Sequence, residues 1–134
     1  MSINTMYIPN WINGKESWPE GDAWLDKYNP HNGELLSQVA DSSAADTQRA
    51  ISAAADAFLS WSEFTPVKRG QILADIVGAM KRRADELADC VALETGKPPQ
   101  DAKGEVAGAI LQGEYFAGEG MRLYGRSLTS GMVG

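Results

Sequence analysis

The chain has a single cysteine, Cys90, and a single histidine, His31, in 134 residues. One thiol cannot form an internal disulfide, and neither Cys-x2-Cys nor His-Glu-x2-His spacing occurs, so a built-in zinc site is excluded. Cys90 falls at helical spacing with Leu87 and Val91 and has no histidine near it in sequence. It reads as a buried core thiol and not as a nucleophile. His31 lies in a turn-rich stretch without a partner for a triad, and reads as a surface side chain. Positive charge is also scarce: 12 Lys and Arg stand against 18 Asp and Glu, for a net charge of -6. That balance argues against nucleic acid, which demands clustered cations to neutralise phosphates. No run of about 18 apolar residues exists to span a bilayer. The N-terminus lacks the basic-then-apolar pattern of a secretory signal, so a reducing cytoplasm is the expected compartment. Neither Gly-x-Gly-x2-Gly after a strand nor Gly-x4-Gly-Lys-Ser/Thr is found, so these residues carry no dinucleotide or phosphate cradle.

What is present divides at about residue 41. The first 40 residues read as strands and turns. Tyr7 to Ile12 is followed by Asn13-Gly14, a strong two-residue hairpin signal because both positions accept positive φ, and Lys15 to Trp18 returns as the partner strand. Pro9 confines the first strand to an edge. Leu25–Tyr28 and Leu35–Ala40 read as further strands around a turn over Asn29–Glu34.

Four helices are expected beyond this point. Ser43-Ala44-Ala45-Asp46 is a capping-box variant opening a helix to about Ser60. Thr65-Pro66 starts a second, with Ile72, Leu73, Ile76, Val77 and Met80 as its apolar stripe. A third carries Leu87, Cys90 and Val91, and ends at Gly96 with Pro98 beyond it. A fourth spans Gln100 to Leu123. It contains Gly104, Gly108, Gly113, Gly118 and Gly120, each costing about 1 kcal/mol against Ala in a helix interior. That cost is tolerable where another backbone or a ligand approaches closely, and close packing is the simpler expectation. The Lys81-Arg82-Arg83 run suits a helix C-terminus. Carboxylate pairs such as Glu105 with Glu114, or Asp85 with Glu86, read as solvated helix surface and not as an acid and base.

An ordered series of short segments carries more than any one residue. It comprises Trp11-Ile12-Asn13-Gly14-Lys15, Tyr28-Asn29-Pro30 with Gly33-Glu34, Ala54-x3-Phe58-x2-Trp61 and Arg69-x2-Ile72-Leu73. It continues with Leu93-Glu94-Thr95-Gly96-Lys97-Pro98, Gly104-Glu105-Val106 and Glu114-Tyr115-Phe116-Ala117-Gly118. Together these resemble the N-terminal region of the NAD(P)-dependent aldehyde dehydrogenase superfamily, over almost the whole chain. The resemblance implies a Rossmann-like α/β fold for the parent enzyme. For this chain it implies a mostly helical α+β fragment with an N-terminal antiparallel hairpin, in which residues 41–125 form helices packing on the cofactor domain. In such enzymes a cysteine thiolate attacks the aldehyde, hydride passes to NAD or NADP, and water releases the acid. The family's nucleophilic Cys, general-base Glu, oxyanion Asn and cofactor glycines match nothing here, so no catalytic or cofactor-binding residue is expected in the chain.

Three further expectations rest on the same resemblance. A structural cation would sit at Glu94, completed by a carbonyl of Lys27 or Tyr28. Gly108 and Gln112 would border the substrate entrance. The run from Tyr115 to Glu119, followed by Arg122 and Gly125, is similar to members acting on semialdehydes of small organic acids. The implied partners are a small-molecule aldehyde and further copies of the subunit, with no nucleic acid and no membrane.

Two readings stay open: an N-terminal piece of an aldehyde dehydrogenase, or a stand-alone non-catalytic interaction module. The C-terminal Ser127–Gly134 run reads as though a strand were about to begin, which favours the first. That reading further expects exposed apolar surface, with Trp11, Trp18, Trp24 and Trp61 as anchors.

Overall fold

A computed structural model describes residues 6–123 and 125. Five short strands, β1 (Met6–Ile8), β2 (Asn10–Ile12), β3 (Lys15–Ser17), β4 (Trp24–Tyr28) and β5 (Leu35–Ala40), precede four helices. These are α1 (Ala44–Glu63), α2 (Pro66–Arg82), α3 (Ala84–Thr95) and α4 (Pro99–Glu119). The division near residue 41 and the four helices are as the sequence leads one to expect.

The strands form two separate sheets. β2 and β3 make the antiparallel hairpin, turned by Asn13 (φ 52) and Gly14 (φ 74). The segment from Tyr7 to Ile12 is not one strand: Pro9, which has no N–H to give to a ladder, splits it. The part before Pro9, β1, pairs in parallel with β5, which pairs antiparallel with β4, giving the order β1-β5-β4. Trp18 and Trp24 meet edge-on at 5.0 Å between centroids, and Tyr7 packs tilted against Trp18 and edge-on to Trp24, tying β1, the end of the hairpin and β4 together.

The helix starts follow their local chemistry. Ser43 Oγ accepts from the Asp46 N–H, and the Asp46 carboxylate accepts from the Ser43 N–H at 2.8 Å, completing a capping box. The same carboxylate, almost fully buried, accepts from the Glu20 N–H at 3.1 Å and pairs with Arg49. One side chain therefore fixes the helix start and the loop after the hairpin. Thr65 caps α2 with Pro66 in its first turn, and Gly96 (φ 73) ends α3 in the left-handed conformation. α1 runs a turn beyond Ser60. α4 ends at Glu119, short of Leu123, where the Met121 N–H turns back to the Gly118 carbonyl.

α4 is the centre of the helical layer. Its buried Ala102, Val106 and Ile110 meet Val77 of α2 and Ala88 of α3, with Leu73, Met80, Leu87 and Val91 around them. Cys90, expected in this core, is exposed. The face α3 presents to α4 is centred on Ala84, Leu87, Ala88 and Val91, and Cys90 lies about 120° round the helix from it. The glycines divide into two groups. A Cβ on Gly70 would lie 2.6 Å from the Ala117 carbonyl oxygen, one on Gly120 2.4 Å from that of Pro66, and one on Gly113 2.6 Å from Val77 Cγ2. At Gly104 and Gly108 a Cβ would meet only open space. Close packing thus explains the second half of α4 and not the first.

The remaining helix is poorly covered. α1 touches the rest of the chain chiefly through β2, and Ile51, Phe58, Leu59 and Trp61 on it are exposed. The accessible surface is 10305 Å² for 14.4 kDa, where a compact monomer of that mass exposes about 6,800 Å². Among the described residues no helix is long and apolar enough to cross a membrane.

Two predictions follow from these contacts. Gly70→Ala and Gly120→Ala each force backbone apart and cost about 1–3 kcal/mol, whereas Gly104→Ala gains up to about 1 kcal/mol of helix propensity. Thermal unfolding followed by circular dichroism reads these opposite signs. The Ser43 N–H, opposed by desolvation and aided by the Glu20 N–H, the Ser43 hydroxyl and Arg49, holds the Asp46 carboxyl below its ordinary value of 3.8. Asp46 therefore stabilises the fold above about pH 4, and that stabilisation is lost as pH falls through the folded value. Between pH 5 and 3 the melting midpoint of Asp46→Asn declines less steeply than that of the parent chain.

Candidate functional site

The two sequence segments of greatest interest meet at the seam between the sheet and the helices. β4 and β5 are joined by a turn in which the Asn29 N–H donates to the Glu34 carbonyl and the Gly33 N–H to the Asn29 carbonyl, each at 2.8 Å. Asn29 Oδ1 accepts from the His31 N–H, and Asn32 Oδ1 from the Glu34 N–H. These side-chain bonds stiffen the turn, which is why asparagine is useful at both places. The turn abuts the end of α3: a Cβ on Gly96 would lie 2.9 Å from Pro30 Cγ and 3.7 Å from His31 Nε2. Beside this contact Lys27 Nζ pairs with Glu94 Oε2 at 2.7 Å. His31 is on the surface, as its turn position implies.

The structure therefore brings Glu94 and Lys27 together, but through the lysine side chain. Tyr28 sits at a register shift at the end of β4, and its hydroxyl donates to Asp26, not to Glu94. Asp26 accordingly raises the Tyr28 pKa. These donors fit a divalent cation poorly. The charge facing the Glu94 carboxylate is an ammonium, and among the described residues no group of three carboxylate, imidazole or thiol side chains gathers.

A dinucleotide fits no better. The junction of β5 with α1 is a strand–turn–helix, the arrangement that elsewhere receives a pyrophosphate at a helix N-terminus. Here the buried Asp46 carboxylate already takes the Ser43 and Glu20 N–H groups, so negative charge is present where a phosphate would bind.

Gly108 and Gln112 lie on the outer face of α4, opposite Val106 and Ile110. With Gly104 they leave that face low, and it rises at Leu111 and Tyr115, both about two-thirds exposed. Arg122 sits over the Tyr115 ring at 5.6 Å and also pairs with Glu119. The result is a shallow, largely apolar ledge without a nucleophile on it. On the other flank of α4 a second groove, of about 390 Å³, runs between α2 and α4 with Trp61, Ile76, Phe116 and Arg69 on its walls. Sequence reasoning named Arg69 only as part of a motif, put Glu94 and a Lys27 carbonyl in one site without foreseeing the Lys27–Glu94 ion pair, and missed the reach of Asp46 to Glu20. The last two span 67 and 26 positions, and local pattern carries no signal over such separations.

The seam yields a test of which contact matters more. Both partners of the Lys27–Glu94 pair are over a third exposed, so Glu94→Gln costs under about 1 kcal/mol. Gly96→Ala combines a positive φ with a collision at Pro30 and costs about 2 kcal/mol or more. Urea unfolding of the two variants should rank them in that order.

Comparison with known proteins agrees with the geometry. The aldehyde dehydrogenase family model matches residues 18–133. The chain is 36% identical over 122 residues to the alpha-ketoglutaric semialdehyde dehydrogenase of Bacillus subtilis, covering 90% of this chain and 25% of that protein. It is 38% identical over 117 residues to the NADP(+) succinate-semialdehyde dehydrogenase of Escherichia coli, covering 87% and 24%. The solved lactaldehyde dehydrogenase of Escherichia coli superposes with a TM-score of 0.90 at 31% identity, covering 97% of this chain and 27% of that one. The chain thus spans about a quarter of the length of the curated relatives it matches.

Proposed function

The chain belongs to the aldehyde dehydrogenase family, and we propose that it forms the N-terminal scaffold of a larger enzyme that oxidises an aldehyde to a carboxylic acid with NAD or NADP. The semialdehydes of small organic acids are the proposed substrate class, since relatives named for them match nearly the whole chain. One observation carries the reading: a fold superposing at a TM-score of 0.90 on a quarter of a dehydrogenase, with about half as much surface again as a compact monomer of its mass. The proposed enzyme is cytoplasmic and assembles from several copies.

Within such an enzyme these residues supply position and not chemistry. Cys90 and His31 lie on separate surface elements, and among the described residues neither has the partner that nucleophilic catalysis needs. The thiolate, the base and the cofactor cradle belong to the remainder of the polypeptide. The outer face of α4 is the part of this chain that would meet the aldehyde. The absence of side chains at Gly104 and Gly108 leaves a passage, and Gln112 offers a polar contact beside it.

The chain alone should not reduce NAD or NADP in the presence of succinic semialdehyde. Exchanged for the matching segment of the Escherichia coli succinate-semialdehyde dehydrogenase, it should sustain turnover. Gly108→Leu in that exchange should raise KM on the order of tenfold with little change in kcat. Turnover by the chain alone, or an unchanged KM, would contradict the proposal.

A further inference from the structure

The chain holds two Asn-Gly pairs, Asn13-Gly14 and Asn32-Gly33, both exposed at the surface. In such a pair the second residue's nitrogen can attack the preceding carboxamide, because glycine has no side chain to shield it. Exposure does not separate the two pairs, but their surroundings do. Asn32 is held at both ends of its amide: Oδ1 accepts from the Glu34 N–H at 3.0 Å, and Nδ2 donates to Glu34 Oε2 at 2.8 Å. The nitrogen that would attack, that of Gly33, donates to the Asn29 carbonyl at 2.8 Å. This turn also closes the β4–β5 ladder, which runs from Trp24 with Ala40 to Tyr28 with Leu35 in a three-stranded sheet. Pro30 within it lies against Gly96.

Asn13-Gly14 is restrained far less. Among the described residues no hydrogen bond holds its carboxamide or the Gly14 N–H. It turns a hairpin of two three-residue strands that form a sheet of their own, and so short a ribbon opens readily. Both turn residues sit at positive φ, so the pair that makes the tight turn is also the pair open to reaction. We propose that Asn13 is a site of spontaneous covalent modification, converting to aspartate and isoaspartate, and that the fold protects Asn32 from the same chemistry. In the opened turn the Gly14 nitrogen attacks Asn13 Cγ. The new C–N bond closes a five-membered imide, the nitrogen's proton passes to the leaving amide, and ammonia departs. Water then opens the ring. Cleavage of the N–Cγ bond leaves aspartate, and cleavage at the original Asn13 carbonyl carbon leaves isoaspartate. Either product puts a carboxylate where a neutral amide stood, and isoaspartate adds a carbon to the main chain of a two-residue loop. Ile12 and Lys15 then no longer meet in register, and the seat of Trp11 and Ile12 against Ala50, Ala53 and Ala54 of α1 loosens.

The test incubates the chain in mildly alkaline buffer, folded and in urea, and follows each asparagine by tandem mass spectrometry of its tryptic peptide. In the folded chain Asn13 should gain the mass difference of OH for NH2 roughly tenfold or more faster than Asn32, whose reaction must first release three hydrogen bonds. In urea the two should convert at similar rates, since only local sequence then acts. The aged parent chain should also melt below the fresh one, whereas Asn13→Gly, which keeps a residue suited to positive φ, should melt alike before and after ageing. Equal or faster conversion of Asn32 in the folded chain, or protection of both asparagines, would overturn the proposal. So would a preference for Asn13 that persists undiminished in urea, because its cause would then be local sequence and not the fold. None of these outcomes bears on the scaffold reading, which stands or falls separately.

Discussion

The near contact of two backbones holds the helical layer together. α2 and α4 approach so closely at Gly70, Ala117, Gly120 and Pro66 that a single methyl group would collide with a carbonyl oxygen. Further along, Gly113 receives Val77, one of only a few deeply buried apolar side chains. That approach brings Val77 against Ile110 and Val106, leaving α3 to pack on the other flank of α4 through Ala88. Among the described residues few large side chains are buried, so the backbone approach matters more than it would in a domain with many of them.

Docking of the sheet onto this layer depends on fewer contacts. The turn from Asn29 to Glu34 meets Gly96, and the Lys27–Glu94 pair lies beside it. Two segments that are far apart in sequence, and that the family resemblance brings to notice together, are thereby neighbours in space. Their shared task here is mechanical: a left-handed residue at the end of α3 opens a place for Pro30. Among the described residues no group of three His, Cys, Asp or Glu side chains that could hold a metal ion gathers at the seam.

Much of the fold was legible in the sequence because it is written in local chemistry. Asn13-Gly14, Ser43 with Asp46, Thr65-Pro66 and Gly96 act within one to three positions, and each marks its boundary as expected. Errors arose where tertiary geometry decides. Helical spacing placed Cys90 with Leu87 and Val91, yet the centre of the α3 face is at Ala88, which turns Cys90 outward. Pro9 marks an edge, but that its two sides join different sheets depends on β5, where Ile8 pairs with Val39. Of the candidate site, Gly108 and Gln112 share the outer face of α4, and Lys27 and Glu94 are joined by an ion pair between their side chains.

These strands and helices read best as a frame for chemistry located elsewhere. Among the described residues, large apolar side chains on α1 and α4 such as Phe58, Leu59, Leu111 and Phe116 stand exposed. Hydrogen exchange on the amides of α1 tests this most directly, measured in the chain alone and in the chain exchanged into the Escherichia coli relative. The account predicts rapid exchange across Ala44–Glu63 in the isolated chain and strong protection once the larger body covers that helix. Equal protection in both settings would show that the chain is complete by itself and would contradict the account.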